Sequence, residues 1–583
     1  MLPTHRAPSA GESLSRLSKG VNPLSKPILR FLVLGCCMVV GLWFISPFFT
    51  DFLWGPPGPP LGLDYFDQNP PAAGPGSQPA SSGDQAIWST RRDQVRDAFK
   101  HAWTGYKTIA YPADELFPVS GGKSNKYNGW GVTLFDSLDT MWIMGLEDEF
   151  TNAVASVKEL KFAPTKPNHY APFFETTIRY LGGILSAHAL SGDSTLKRLA
   201  EELGDLLIPA FRGTASGLPA YSVNVETGEV LADAHKESVL FAEMTSCQLE
   251  FKYLAKLTGK KEYYDRVQAT MDLVYKANVT DGLFHEHWLV KDGSPTGTHF
   301  TIGANADSGY EYLLKQWLLS GDVQARDQYI KSANGIINNL IYMTPKRGLL
   351  YVGDLDHGHL NHRLEHLSCY LPGVLAMGSS LLGDHLTTEE TELHKWAAHG
   401  LAYTCAISYA DQKSGLGPDE IRIASGGAKW IDEIAKWKAK NRQGRVPGTS
   451  EPPPEKEPAN REYWNGHPNA YLLRPETVEA IFYLWRTTGD IRWRERGYGI
   501  FLAIEKHTRT QHGFSTVHAI DSENVAQMDD MPSWFLAETL KYLYLLFDDV
   551  DHIPLDKWVF NTEAHPLPAF NWSQAEKTSF GIP

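Results

Sequence analysis

The sequence predicts an all-α fold in which helix hairpins stack side by side and close into a ring. Three observations carry that reading. A helical run ends again and again in a glycine stop: Leu190-Ser191-Gly192-Asp193, Leu257-Thr258-Gly259-Lys260, Leu319-Ser320-Gly321-Asp322, Leu382-Gly383-Asp384 and Thr488-Gly489-Asp490. These glycines lie 67, 62, 62 and 106 residues apart, the last gap holding an inserted proline-rich stretch, and glycine just past a helix end supplies a left-handed cap. Each stop follows aromatic and leucine residues at helical spacing, as in Phe482-Tyr483-Leu484-Trp485. Each precedes a charged amphipathic run such as Ile491-Arg492-Trp493-Arg494-Glu495-Arg496. A unit of ~60 residues therefore reads as an inner apolar helix, a tight turn and an outer amphipathic helix. Few stretches alternate as strands do.

From the N-terminus, residues 1–30 carry Arg6, Arg16, Lys19, Lys26 and Arg30 against one acid, Glu12. Phe31 to Phe49 is 19 residues without a charge, long enough to cross a bilayer. The basic flank predicts a cytoplasmic tail (1–30), an uncleaved membrane anchor (31–50) and a luminal remainder. The rival, a cleaved signal peptide, is disfavoured by the long lead and apolar run. Residues 51–85, rich in Pro, Gly, Ser and Ala, read as an extended stem. Residues 86–570 read as the folded domain, with an exposed loop inserted near 425–460, and 571–583 as a tail. Two sequons, at Asn278 and Asn571, agree with a luminal address. Of five cysteines, Cys36 and Cys37 fall in the anchor. Cys247, Cys369 and Cys405 remain, and an oxidising lumen permits one disulfide among them.

Stacked helix pairs form either an open solenoid or a closed ring, and the carboxylates separate the two. Glu175 precedes Gly192 by 17 residues, Glu243 precedes Gly259 by 16, Asp307 precedes Gly321 by 14, Glu365 precedes Gly383 by 18 and Glu476 precedes Gly489 by 13. Glu538 opens the last helical run, and Asp136 and Asp139 precede Gly145. A single acid at a helix start is merely favourable with the dipole. Seven such units in a ring aim their acids at one cavity, where like charges need a cation, arginines or a polyol to offset them. Arg179, Arg474 and His366 fit that need, and Glu476 and Glu479 share a helix face.

A formal charge of −14 excludes nucleic acid as a partner, because phosphate binding needs a basic surface. It suits a cation or a neutral polar substrate, as does an aromatic content of 12 %. Near the C-terminus, Phe560-Asn561-Thr562-Glu563-Ala564-His565-Pro566 offers the threonine hydroxyl and carbonyl, hard oxygens suited to Ca²⁺. Glycoside cleavage needs one carboxylic acid and one carboxylate, and Glu175, Asp307 and Glu476 are the best placed in the repeat.

Several of these segments resemble signatures of the class I α-1,2-mannosidases, glycoside hydrolase family 47. They are Phe174-Glu175-Thr176-Thr177-Ile178-Arg179-Tyr180-Leu181-Gly182-Gly183, Asp136-Ser137-Leu138-Asp139-Thr140, Ala304-Asn305-Ala306-Asp307-Ser308, His366-Leu367-Ser368-Cys369, Leu473-Arg474-Pro475-Glu476-Thr477-Val478-Glu479 and Asn561-Thr562-Glu563-Ala564-His565-Pro566. They stand in the family's order over about 90–570. The resemblance implies an (αα)7 barrel plugged at one end by a C-terminal β-hairpin. It implies a Ca²⁺-dependent, inverting removal of terminal α-1,2-mannose from high-mannose N-glycans in the endoplasmic reticulum or Golgi. A glycan-binding quality-control factor of the same fold is the alternative.

On that resemblance Thr562 binds calcium, and acids at Glu479, Glu538 and Glu563 hold its waters. Glu476 is the base. Glu175 is the favoured acid, with Asp307 its rival or helper. Asp136, Arg179, Glu243, Glu311, His366, Arg474 and Trp534 match positions that orient the sugar, and Cys369 and Cys405 match the family's disulfide. Asn305 departs from the pattern: reticulum members carry Arg there and Golgi members a smaller apolar residue. The segment around Glu175 leans toward the reticulum type.

Overall fold

The structure is a computed structural model that describes residues 82–232, 237–277, 279–424 and 426–582. The expected tail, the anchor at 31–50, most of the stem and the sequon residue Asn278 lie outside the described residues. Among the described residues no helix is long and apolar enough to cross a membrane.

Fourteen helices build the barrel. The first seven are α1 (Ser82–Gly105), α2 (Val132–Ile143), α3 (Glu147–Val157), α4 (Gly182–Ser191), α5 (Ser194–Leu207), α6 (Gln248–Thr258) and α7 (Lys261–Lys276). The rest are α8 (Asp307–Ser320), α9 (Val323–Asn339), α10 (Leu371–Leu381), α11 (Thr388–Ala410), α12 (Glu476–Thr488), α13 (Ile491–Thr508) and α14 (Leu540–Phe547). Even-numbered helices form the inner ring, each packed on the next from α2 to α14, and the turn Phe535–Thr539 that leads into α14 packs back on α2. That contact closes the ring. Odd-numbered helices form the outer layer. Helix α5 shows why: Leu196, Leu199, Ala200, Leu203 and Leu207 are buried on one face. The partner of the last inner helix is α1, from the opposite end of the chain, with Trp88 stacked on Phe547 at 5.8 Å.

Four of the five glycine stops work as expected, whereas Gly383 opens a 3-10 turn, Gly383–His385, after α10 has ended at Leu381. Gly192, Gly259, Gly321 and Gly489 cap α4, α6, α8 and α12 with φ of 74°, 74°, 74° and 69°. Behind three of them an aspartate caps the outer helix: Asp193 accepts from the Thr195 N–H at 2.7 Å, Asp322 from Ala325 at 3.1 Å and Asp490 from Arg492 at 3.0 Å. A Gly-Asp pair thus ends one helix and starts the next in two residues.

Strands are more numerous than the sequence suggests. The described residues hold eight antiparallel sheets of two or three strands, in the connections that run from an outer helix to the next inner one and in the hairpin after α14. Strands of two to four residues are too short for alternation to register. One sheet matters below: β1 (Arg363–Glu365), β2 (Glu420–Ile423) and β3 (Tyr463–Asn465), in the order β1-β2-β3. The hairpin of β4 (Trp558–Phe560) and β5 (Pro566–Pro568) packs on α8 and α4. It enters where inner helices end, with the Phe570 N–H bonded to the Leu319 carbonyl at 2.7 Å.

The segment expected as an exposed loop near 425–460 is more ordered than that. It contains the helix Trp430–Ala439 with Trp430 buried, and the Trp430 indole donates to the Pro447 carbonyl at 2.8 Å. The expected tail forms a capped helix, Gln574–Phe580, whose Phe580 and nearby Trp572 pack on Tyr264 of α7. Asn571 is exposed beside it. Cys369 and Cys405 are disulfide-bonded, tying the turn before α10 to α11, and Cys247 is a buried free thiol.

Candidate active site

A cavity of about 410 Å³ lies at the end of the ring where the inner helices begin. Every connection that leads into an inner helix, the first turns of α8 and α12, and the hairpin tip contribute to its wall. Glu175, Asp307, Glu476, Thr562, Arg179, Glu243, Glu311, Arg474, Glu479, Trp534, Glu538 and Glu563 line it, twelve of the fourteen positions singled out from the sequence. Asp136 and His366 are buried behind the wall. Asp136 accepts from the Ser533 hydroxyl and lies 3.3 Å from Nε2 of His565. His366 holds Glu476 Oε2 through Nδ1 at 2.8 Å and meets the Tyr409 hydroxyl through Nε2 at 2.6 Å. A direct contact with a sugar in the cavity is therefore not what the fold gives these two residues.

Local structure explains the placements. Asp307 and Glu476 are the first residues of α8 and α12, and Glu479 follows one turn later on the same face. Glu175 precedes a π turn, Thr176–Leu181, that carries Arg179, and a second π turn, Phe535–Thr539, carries Glu538. The wide π turn re-aims side chains at a helix start. Thr562 sits at the hairpin tip, which is held from every side. Asn561 Oδ1 accepts from the Glu563 and His565 N–H groups at 2.9 and 2.8 Å, and its Nδ2 donates to the Ile178 carbonyl at 3.0 Å. Lys541 donates to the Ala564 carbonyl at 2.5 Å and pairs with Asp139 at 2.9 Å.

A family model for glycosyl hydrolase family 47 matches residues 98–569. The chain belongs to this family. It is 35 % identical over 506 residues to a mannosyl-oligosaccharide alpha-1,2-mannosidase IA of Drosophila melanogaster, covering 85 % of this chain and 70 % of that one. It is 39 % identical over 497 residues to an endoplasmic reticulum mannosyl-oligosaccharide 1,2-alpha-mannosidase of Rattus norvegicus, covering 83 % and 69 %. The solved alpha-1,2-mannosidase from Trichoderma reesei superposes with a TM-score of 0.72 at 28 % identity, covering 83 % of this chain and 99 % of that one. The (αα)7 barrel is thus shared with a family 47 glycoside hydrolase.

The electrostatics of this family 47 cavity are lopsided. Eight carboxylates line it against three cations, Lys126, Arg179 and Arg474. Burial lifts the Asp307 carboxyl to about 7, and Glu311, Glu476 and Glu365 add to the rise. Burial also lifts Glu243 to about 7, with Glu175 adding to it. Glu479, Glu538 and Glu563 are pushed up by burial and by neighbouring acids. Glu476 goes the other way. Burial would raise it, but the His366 hydrogen bond and charge and the Arg474 guanidinium hold it below the usual range. Arg179 bridges the wall, donating to Glu175 at 2.7 Å and bonding Glu563. Lys126, Arg179 and Arg474 surround the Trp534 ring at 5.4, 5.5 and 5.6 Å.

Several pairings in this network escape a sequence reading, although Asp139 and His565 stand in motifs already quoted. Lys315 pairs with Glu311 and lies 3.4 Å from the Asn561 carbonyl. Lys541, His565 and Asp139 hold the tip from below. Glu250 accepts from Tyr312 and Asn561, each at 2.8 Å. Lys541 is the one charge in the apolar run Leu540–Phe547 and Lys315 stands one turn after Glu311 in α8, and those were the available signals: a buried charge needs a partner.

Proposed function

We propose that this chain is a Ca²⁺-dependent, inverting exo-α-1,2-mannosidase that trims high-mannose N-glycans. The observation that carries the reading is one cavity lined together by Glu175, Asp307, Glu476 and Thr562, with five more acids than cations. The curated relatives are named as mannosyl-oligosaccharide mannosidases, which supports the substrate. The lumen of the reticulum or Golgi, reached through an anchor at residues 31–50, is the matching location, and the exposed Asn571 sequon suits it.

The donor set fits calcium. Thr562 offers two hard oxygens at the cavity wall, and the surrounding acids supply the negative charge such an ion offsets. Among the described residues no three of His, Cys, Asp and Glu converge as direct ligands. Thr562 would hold the ion through its carbonyl and hydroxyl, with Glu479, Glu538 and Glu563 holding its waters. Bound there, calcium would offset the acids and orient two vicinal sugar hydroxyls.

The chain's own residues supply the rest. Glu476, kept ionised by His366 and Arg474, takes a proton from water as that water attacks the anomeric carbon. The bond from that carbon to the O2 of the next mannose breaks as this oxygen, which stays with the rest of the glycan, receives a proton from Glu175 or Asp307, and attack from the opposite face inverts the configuration of the released mannose. Glu175 is the more open of the two, whereas Asp307 keeps its proton to about 7. Arg179, Arg474 and Trp534 orient the sugar.

Mannose release from a nine-mannose glycan, followed by chromatography with and without chelator, tests this. Expected are loss of release on chelation, recovery with Ca²⁺, and a weaker calorimetric Ca²⁺ affinity in Thr562→Ala. Release indifferent to chelator removes calcium from the reading. Binding without release would favour a glycan-binding factor.

A further inference from the structure

The sheet β1-β2-β3 stands beside the cavity. Its inner face, Leu364, Ile421, Ile423 and Tyr463, forms a small apolar core of its own with Tyr351. The outer face carries Arg363, Glu365, Glu420, Arg422 and Trp464, by strand alternation and by the register Arg363↔Arg422↔Trp464 and Glu365↔Glu420. This face runs into the cavity wall. Glu365 Oε2 accepts from the N–H of Ala304, a lining residue, at 2.8 Å, and Asp419, just before β2, holds the lining residue Arg474 at 2.5 Å. Trp464 stands two strands from Arg363, about 10 Å, and Glu365 two residues further along, about 7 Å.

A single exposed apolar side chain means little. Here Trp464 is 56 % exposed in one row with two guanidiniums that are already neutralised. Arg363 pairs with Asp354 at 3.1 Å and Glu365 at 3.0 Å, and Arg422 with Glu420 at 2.9 Å. The side chain of Arg422 remains 44 % exposed. The face therefore offers a flat ring and hydrogen-bond donors with its charges cancelled. That suits a neutral polyol, whose C–H face lies on an indole and whose hydroxyls accept from guanidinium, more than a charged peptide.

We propose that Trp464 and Arg422 form a platform for mannose residues distant from the one being cleaved, on the same oligosaccharide whose end occupies the cavity. This rests on the mannosidase reading, and the platform decides how strongly a long glycan is preferred over a short one.

The test compares kcat/KM for a nine-mannose glycan and for α-1,2-mannobiose in the native chain, Trp464→Ala, Trp464→Phe and Arg422→Ala. The expected result is that the glycan-to-disaccharide ratio falls about tenfold in Trp464→Ala, the weight of one good aromatic contact. It should fall less in Arg422→Ala and be largely kept in Trp464→Phe. A native chain that cleaves neither substrate overturns the mannosidase reading itself. A native chain that cleaves both, with the ratio unmoved in Trp464→Ala, overturns the platform alone. A ratio that falls only when the glycan is attached to protein also overturns it, and assigns the face to polypeptide.

Discussion

Asp307 and Glu476 occupy the same place, the first residue of an inner helix, yet their surroundings push them in opposite directions. His366 bonds Glu476, whereas Asp307 is buried among Glu311, Glu476 and Glu365, so one stays ionised and the other keeps a proton to about 7. A base and a proton source need that separation. Glu476→Gln should lower kcat by about 10³-fold while glycan affinity, measured by calorimetry, stays within a few-fold. On the proposal that Asp307 is the proton source the sign follows: a proton source fails as it ionises, so activity should decline as pH rises through about 7. Asp307→Asn should lower the rate and flatten that alkaline limb in a pH profile of kcat/KM. A limb that survives the substitution would place its origin in Glu175 or elsewhere.

At the scale of elements, what could be read was what is local. Four of the five glycine stops are left-handed caps closely followed by a helix start. Of the acids before the stops, Asp307 and Glu476 open their inner helices, Glu175 and Glu243 lie in the turns just before theirs, and Glu365 ends β1 outside the cavity lining. The elements that could not be read depend on distant chain. Helix α1 pairs with α14 across the whole sequence, and the two π turns take their shape from what packs on them. The two-residue strands exist because the connections lie side by side. Gly183 shows how such packing constrains the site. A Cβ there would lie 2.5 Å from the Phe135 carbonyl oxygen of α2 and 3.3 Å from the His565 ring. The backbone of α2 cannot yield as a side chain could, so Gly183→Ala should cost about 1–3 kcal/mol. It should also weaken Ca²⁺ binding by shifting His565 and the tip that carries Thr562. Gly192 is the control: its φ is 74° but nothing lies within 4 Å of the added Cβ, so Gly192→Ala should lose only about 1 kcal/mol of cap strain and leave calcium affinity alone. Thermal unfolding and calorimetry of both variants check this, and equal losses in the pair would refute the packing argument.

The whole molecule is held by charge as well as by its apolar core, and this was the least legible layer. The acids of the cavity could be read because the repeat numbers them. Their long-range partners could not: Lys315 pairs with Glu311 one turn along the same helix, but it comes within 4.0 Å of Glu479 of α12, and Lys541 and His565 meet Asp139, only once the ring closes. The same holds on the outside. The proline-rich insertion reads as a loose loop, yet its Glu451 reaches His399 of α11 at 3.1 Å and Arg492 and Arg496 of α13 at 3.1 and 2.7 Å. Burial would raise this carboxyl, but those partners hold it at about 2, against 4.5 when unpaired. A group whose folded pKa is depressed stabilises the fold above its unfolded value and loses that contribution as pH falls toward its folded one. The Glu451 pairs should therefore contribute on the order of 2–3 kcal/mol at neutral pH, fading between about pH 4.5 and pH 2. Glu451→Gln should melt lower than the native chain at pH 7, and the two melting temperatures should converge as the pH drops through that window. Because other carboxylates titrate in both proteins, the difference between the two curves is the quantity to read. A gap that stays constant down to low pH would mean that Glu451 holds the insertion by shape rather than by charge.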